Sequence, residues 1–419
     1  MNRKNLSIAI ILLILAIATV VVFQGLWVPK RSIPTTVESP SDTSTPSVLN
    51  HTPFGIHINL IDTDPLAISF IWVTISPTNA SILEVTFDNG TVVRLAGVQR
   101  EYRGVYWHRV ILTGLVSGEA FSYRVGDPEL SMSDEFEVNL PDNEGPLVFT
   151  VYGDQGINKY SRMAVSTALS FNPAFNFHVG DLSYGGANVD IWLKWFSIIE
   201  PLAATRPYIV AVGNHEYDGE GDLSDINIYI GSPDESFNYW FVWANAFFLV
   251  INLGPEDDAV LSTDIYNWVR DSLSYASRLD VVKWKFVFLH YPPYSSGVSH
   301  GSAPITESLK ELFDEYSVDI VFAGHEHNYE RTYPIYNGAV VSRNDSLYID
   351  PGGTIYIVVG GAGGGLYKDF IEPQPEWSFY REARYSIGVV EIRGDTLVFK
   401  AVDSQTGEVF DEFIIIKKD

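Results

Sequence analysis

"FNFHVGDLSY", residues 175–184, is a run of bulky residues that breaks at a glycine, meets an aspartate and reaches a tyrosine three positions later. A short apolar run closed by Gly-Asp reads as a buried strand that turns sharply at its carboxyl end. Four other runs stop in the same manner. "LVFTVYGDQG" ends at Asp154, "YIVAVGNHE" at Asn214 and His215, "WKFVFLHYPPY" at His290, and "DIVFAGHEH" at His325 and His327. Between them lie stretches with helical patterning at 159–170, 190–200, 262–277 and 305–316. Short strands alternating with helices predict an α/β layered domain from about residue 142 onward, and ligands bind such sheets at the carboxyl ends of their strands. After about residue 384 the chain returns to strand-like alternation.

The residues at these five ends are two aspartates, an asparagine, a tyrosine and histidines. They offer oxygen and nitrogen donors and no sulfur, a set that suits Fe, Mn or Zn. The chain has no cysteine, which removes disulfides, thiolate metal sites and cysteine nucleophiles from consideration. A carboxylate can bridge two ions, and two ions about 3.5–4 Å apart form a clamp for phosphoryl transfer. The glycine run "VVGGAGGGLY" (358–367) comes too late in the chain to open a dinucleotide-binding unit. It is expected as a tight turn packed near the site.

Outward from this core, the N-terminal side divides into three parts. Arg3 and Lys4 precede an uncharged run from Leu6 to Val28, long enough to cross a bilayer as one helix. Residues 1–28 therefore read as a membrane anchor or a cleaved signal peptide, and either places the remainder outside the cytoplasm. Residues 29–53 are rich in Ser, Thr and Pro and read as a linker. Residues 54–141 read as all-β: β-branched and aromatic runs, Asn-Gly at 89–90 as a hairpin turn, and Phe121, Tyr123 and Val125 alternating on one face. This part resembles a fibronectin type III-like sandwich, with Phe121 where such domains often keep a corner tyrosine. Sequons stand at Asn50, Asn79, Asn89 and Asn344. The formal net charge of −25 argues against a nucleic-acid partner. The oligomeric state is not legible.

The ordered series GDxG, GDxxY, GNHE, a lone His after a strand, and GHxH resembles the purple acid phosphatases, within the calcineurin-like metallophosphoesterases. The likeness covers most of residues 146–419. The resemblance implies a four-layer metallophosphoesterase β-sandwich flanked by helices. It implies Fe(III) held by Asp154, Tyr184 and His327, a second divalent ion (Fe, Zn or Mn) held by Asn214, His290 and His325, and Asp181 between them. Other metallophosphoesterases usually open with DxH; here Asp154 is followed by Gln155 and Gly156, and Tyr184 supplies a phenolate in place of the imidazole. His215 and His300 are expected to face the phosphate together with Asn214, one of the two histidines acting as general acid. The implied activity is hydrolysis of phosphate monoesters by metal-held hydroxide. Alternatives are a phosphodiesterase or nucleotide pyrophosphatase on the same site, or a surface binding protein with a vestigial catalytic domain. Glu326 is expected to face away from the ions, Glu216 to orient a neighbour, and Arg331 to brace the GHEH loop. His178 reads as a core histidine, and His51, His57 and His108 receive no chemistry.

Overall fold

A computed structural model describes residues 49–61, 66–219, 222–257 and 259–418. The expected anchor or signal and most of the linker lie outside these residues. No helix among the described residues is long and apolar enough to cross a membrane.

Between Phe54 and Asn139 the chain builds two small sheets. One orders the strands Phe54–Leu60, Ile68–Thr74, Val105–Leu112 and Val98–Tyr102; the other is centred on Ile82–Phe87 and Ala120–Asp127. Alternation gives each a buried face. Phe121, Tyr123 and Val125 point into one core with Phe70, Trp72, Leu83 and Val85. The Tyr123 hydroxyl donates to the carbonyl of Ala204 at 2.6 Å.

The rest of the chain forms two seven-stranded sheets. The first contains the parallel strands Leu147–Tyr152, Phe175–His178 and Tyr208–Val210, continued by the antiparallel strands Ser386–Arg393, Thr396–Asp403 and Val409–Ile416. The second runs parallel through Ala246–Val250, Trp284–Phe288, Ile320–Ala323 and Ile355–Val359. These strands read as continuous hydrophobic runs because both of their faces are covered. One core joins the two sheets, with Phe149, Phe177, Phe248, Phe286, Phe288 and Phe322 stacked edge-to-face and face-to-face within it.

Helices cover the outer faces. Helix α1 (Lys159–Ser170) starts at Asn158, whose side chain accepts from the Tyr160 and Ser161 amides while Ser161 Oγ accepts from the Asn158 amide. This reciprocal cap satisfies amides that a helix start leaves free. Helix α2 (Val189–Ala203) buries Trp192, Trp195, Phe196 and Ile199 at helical spacing and continues past the expected end with Pro201 in its last turn. Both helices pack with the first sheet, and Ile71, Val73 and Trp107 of the small sheets join the same cluster. After the short helix α3 (Ser224–Tyr229), helices α4 (Thr263–Ala276) and α5 (Glu307–Glu315) pack with the second sheet.

Arg331 braces differently from expectation. It is fully buried and grips Asp411 with Nε at 2.7 Å and Nη2 at 2.8 Å, with further bonds to the Tyr348 hydroxyl and the Asp345 carbonyl. It thus ties its strand, Tyr329–Thr332 of the second sheet, to the first sheet. Its neighbour Glu330 bonds the amide and hydroxyl of Ser296 instead, since adjacent residues on a strand face opposite sides.

Candidate metal centre

The parallel strands of both sheets end at one edge, and their following loops carry the residues singled out from the sequence. Asp154, Asp181, Tyr184 and His325 all adopt left-handed backbone, with φ of 59°, 55°, 56° and 67°. Such conformations cost about 1 kcal/mol or more each outside glycine and persist where surrounding structure imposes them. The glycines before them serve close approach: a Cβ on Gly213 would lie 2.3 Å from Asp181 Oδ1, and one on Gly324 2.5 Å from Asp154 Oδ2.

All seven expected ligands converge. His290 Nε2 lies 3.1 Å from Asn214 Oδ1, 3.2 Å from His325 Nδ1 and 3.4 Å from Asp181 Oδ1. Beside this group, His327 Nε2 lies 3.0 Å from the Tyr184 hydroxyl and 3.5 Å from Asp154 Oδ1. Carboxylate and imidazole atoms of Asp154, Asp181 and His290 approach one another closely enough to hold one ion.

The outer nitrogens of the rings decide what the inner ones can be. His290 Nδ1 donates to the Val179 carbonyl at 2.8 Å, and His327 Nδ1 to the Gly365 carbonyl at 2.9 Å. His325 Nε2 donates to Asp257 Oδ2 at 3.0 Å. A neutral imidazole carries one N–H, so each inward nitrogen is left with a lone pair. Burial, first of all, holds His290 and His325 neutral, with pKa lowered to about 3, and His327 lowered to about 4. His290 Nε2 and His325 Nδ1 thus face each other at 3.2 Å with no proton between them, and Asn214 Oδ1 and Asp181 Oδ1 stand 3.1 and 3.4 Å from the same His290 nitrogen. Left to the protein alone, burial and mutual repulsion also raise the carboxyls, Asp154 well above its ordinary value and Asp181 to about 6. A set of acceptors aimed at common points fits cations, and outer-nitrogen partners of this kind fix ligating histidines in place.

Glu216 does orient a neighbour. It accepts from the amides of Asp181, Leu182 and Gly213, each at 2.8 Å, and so clamps together the two loops that carry Asp181 and Asn214. Glu326 turns from the centre and accepts from the amides of His300 at 2.6 Å and Gly301 at 2.7 Å. Glu330 binds the same loop through the Ser296 amide and hydroxyl at 2.6 and 2.7 Å. Two carboxylates one helical repeat apart in sequence thus hold the loop that brings the exposed His300 ring to 4.0 Å from His325.

His215 borders the centre. Its amide donates to Asp181 Oδ1 at 3.1 Å, its Nε2 lies 3.9 Å from Asp181 Oδ2, and its Nδ1 lies 2.7 Å from Asp218 Oδ2. Burial alone would lower its pKa, but the Asp181 and Asp218 carboxylates outweigh burial and raise it. His178 is fully buried against Tyr152 and Trp195, off the site. The glycine run packs as expected: the Gly364 amide donates to the Asp154 carbonyl at 2.7 Å.

Three participants escaped the sequence reading. Asp218 follows His215 by three residues, a spacing that could have flagged it. Asp257 comes from a loop of the second sheet and offered no local signal. Tyr367 lies flat on His327, with ring centres 4.2 Å apart and planes 7° apart; its place after the glycine run was the only hint.

Comparison with known proteins follows this geometry. Residues 148–329 match the calcineurin-like phosphoesterase family, and residues 353–412 match the iron/zinc purple acid phosphatase-like protein C family. The chain is 30% identical over 355 residues to a probable inactive purple acid phosphatase 1 of Arabidopsis thaliana, covering 74% of this chain and 58% of that one. It is 31% identical over 261 residues to a nucleotide pyrophosphatase/phosphodiesterase of Hordeum vulgare, covering 57% of this chain and 71% of the relative. The purple acid phosphatase from yellow lupin (Lupinus luteus) seeds shares the fold, with a TM-score of 0.78 at 23% identity over 88% of this chain and 75% of that one. With strand-end blocks, fold and both family regions in agreement, the chain belongs to the purple acid phosphatases, a branch of the calcineurin-like metallophosphoesterases.

Proposed function

We propose that the protein is a binuclear-metal acid phosphatase that hydrolyses phosphate monoesters. The observation that carries this reading is the convergence of seven oxygen and nitrogen donors from loops of both sheets, with His290 Nε2 at 3.1–3.4 Å from Asn214 Oδ1, His325 Nδ1 and Asp181 Oδ1. In this reading Asp154, Tyr184 and His327 would hold Fe(III), and Asn214, His290 and His325 would hold a divalent Fe, Zn or Mn ion. Asp181, between the two sets, would serve both. When bound, such a pair supplies Lewis acidity and an activated water.

The chain's own residues do the rest. Asn214, His215 and His300 bind the phosphate oxygens. Asp218 holds His215 Nδ1, which leaves Nε2 to face the ester. As the bond from phosphorus to the ester oxygen breaks, His215 Nε2 gives its proton to the departing alkoxide; water supplies the new oxygen on phosphorus. Glu326 keeps His300 in reach through its backbone.

The region from 54 to 141 is read as a fibronectin type III-like domain, and the catalytic sheets with their helices as a four-layer sandwich. The uncharged run from Leu6 to Val28 supports an extracytoplasmic location, tethered or secreted.

The test compares a phosphomonoester with its bis-ester on protein reconstituted with iron and zinc, alongside Asp181→Ala. Monoester turnover that disappears in the variant together with bound metal supports the reading; monoester turnover that survives in the metal-free variant sinks it. Faster bis-ester or pyrophosphate cleavage would favour the second reading, a nucleotide pyrophosphatase or phosphodiesterase, for which the barley relative's name speaks. Two well-placed ions without turnover of any ester would point to a vestigial catalytic domain on a binding protein, as the name of the Arabidopsis relative illustrates.

A further inference from the structure

A cleft of about 410 Å³ opens where the small sheets meet the loops after helix α3. None of its lining residues belongs to the metal centre. Its floor includes Arg109, on the strand Val105–Leu112, flanked by its register partners Ile71 and Val98. Ile228 and Trp107 add apolar wall, and Glu235 adds one carboxylate.

Arg109 is half-buried and anchored on one side only. Its Nε donates to Ser69 Oγ at 2.9 Å. The guanidinium lies against Gly231, where a Cβ would meet Nη1, Cζ and Nη2 at 3.1–3.2 Å. Among the described residues, neither Nη group has a hydrogen-bond or ion-pair partner. The carboxylate of Asp225 on helix α3 is already taken by the Tyr102 hydroxyl at 2.6 Å and by Arg103 at 2.8 and 2.9 Å. Burial draws the Arg109 pKa down, as expected for a cation without a counterion. Such a charge is costly to leave unpaired, and a guanidinium edge suits a planar carboxylate. The cavity volume falls in the range of small-molecule sites. Arg100 also lines the cleft, so two guanidiniums stand against the Glu235 carboxylate and leave a net single positive charge, which a monoanion matches better than a dianion such as phosphate.

We propose that this cleft binds a small organic monocarboxylate, its carboxylate on the Nη groups of Arg109 and its apolar body against Ile71, Ile228 and Trp107. The site lies outside the catalytic machinery, so its occupancy is separable from turnover.

Calorimetric titration of the metal-loaded protein with benzoate, in the presence of inorganic phosphate to fill the catalytic centre, tests the assignment. Arg109→Gln is expected to weaken benzoate binding about tenfold or more, through loss of the charge-assisted hydrogen bonds. Glu235→Gln is expected to tighten it by removing a like charge, and both variants should keep wild-type turnover. Wild-type protein that takes up no benzoate, or an Arg109→Gln variant that binds it equally well, overturns the proposal. Should Arg109→Gln fail to fold, Glu235→Gln decides alone: unchanged or weaker binding counts against the site.

Discussion

The β-region and the metal centre each bury histidines, and in both regions burial keeps the rings neutral. His57 and His108 of the β-region have pKa lowered to about 4, burial being the first cause. Both nitrogens of His108, however, have partners that satisfy them. His108 lies 2.9 Å from Thr74 Oγ1 and 2.8 Å from Ser81 Oγ, hydroxyls that can rotate to donate or accept, and its ring stacks on Trp72. His57 lies 2.8 Å from the Gly55 carbonyl and 2.9 Å from the Tyr229 carbonyl, and its neutral ring, with one N–H, donates to one of the two. At the metal centre each ring has one nitrogen tied to a carbonyl or carboxylate and the other aimed at further acceptors. Burial alone therefore does not separate a packing histidine from a ligand, and His57 shows that a second acceptor alone does not either; what marks the centre is that the inner nitrogens of several rings converge with carboxylates.

Four changes would break or sharpen this contrast. The largest effect is expected from Asp181→Ala. It should abolish phosphatase activity and bound metal, while the circular-dichroism signature of the β-region persists. Metal analysis after gel filtration checks it, and retention of two ions would erase the distinction drawn here. Next, Asp257→Asn removes the carboxylate that fixes the His325 tautomer. Loss of such an outer partner typically weakens metal affinity about 10–100-fold. Competition with a chelator of known strength measures it. An unchanged affinity would make Asp257 a bystander.

Glu326→Ala should leave the metal content intact and lower turnover about tenfold, because a loop displaced by about an ångström misaligns a group facing the substrate. Glu326→Gln keeps one acceptor oxygen for the His300 and Gly301 amides and should recover most of the loss. Metal loss in Glu326→Ala would show instead that the carboxylate supports ligands rather than the His300 loop.

The smallest effect is on stability against pH. For His57 and His108 the folded pKa lies below the ordinary value of 6.5. Above pH 6.5 both states are neutral and the rings contribute no pH dependence. As pH falls from 6.5 toward about 4, the unfolded chain takes up protons that the folded chain refuses, so stability is lost by up to about 1.4 kcal/mol per unit per ring. His108→Gln should flatten the fall in unfolding free energy between pH 7 and 5 without altering metal content. A fall as steep as in the wild type would remove His108 from the account.

Much of this centre could be read from the chain because each ligand follows its strand within a few residues. Gly-Asp after Val179, Gly-Asn after Val212 and Gly-His after Ala323 are local signals, and the strand before each is itself a plain apolar run. Tyr184 was legible only by contrast with the missing histidine after Asp154. The four helices of the catalytic sheets were placed to within a few residues by their periodicity, although α2 runs to Ala203 past Pro201. What stayed hidden depends on segments distant in sequence. Asp257 reaches His325 from 68 residues away, and Arg331 finds Asp411 across 80. The direction of Glu326 could be expected, but its partners could not, because they are backbone amides that any loop sequence could offer.

The donors come from two sheets. Asp154, Asp181 and Asn214 follow strands of the first, and His290, His325 and His327 follow strands of the second. Ions held by both would act as rivets across the seam, beside the Arg331–Asp411 pair. Whatever binds only the folded chain stabilises it in proportion to the logarithm of its concentration over its dissociation constant. Under this reading, stripping the metals loosens the seam between the halves of the catalytic body as well as silencing the chemistry. A chelator would then lower the melting temperature of the catalytic sheets.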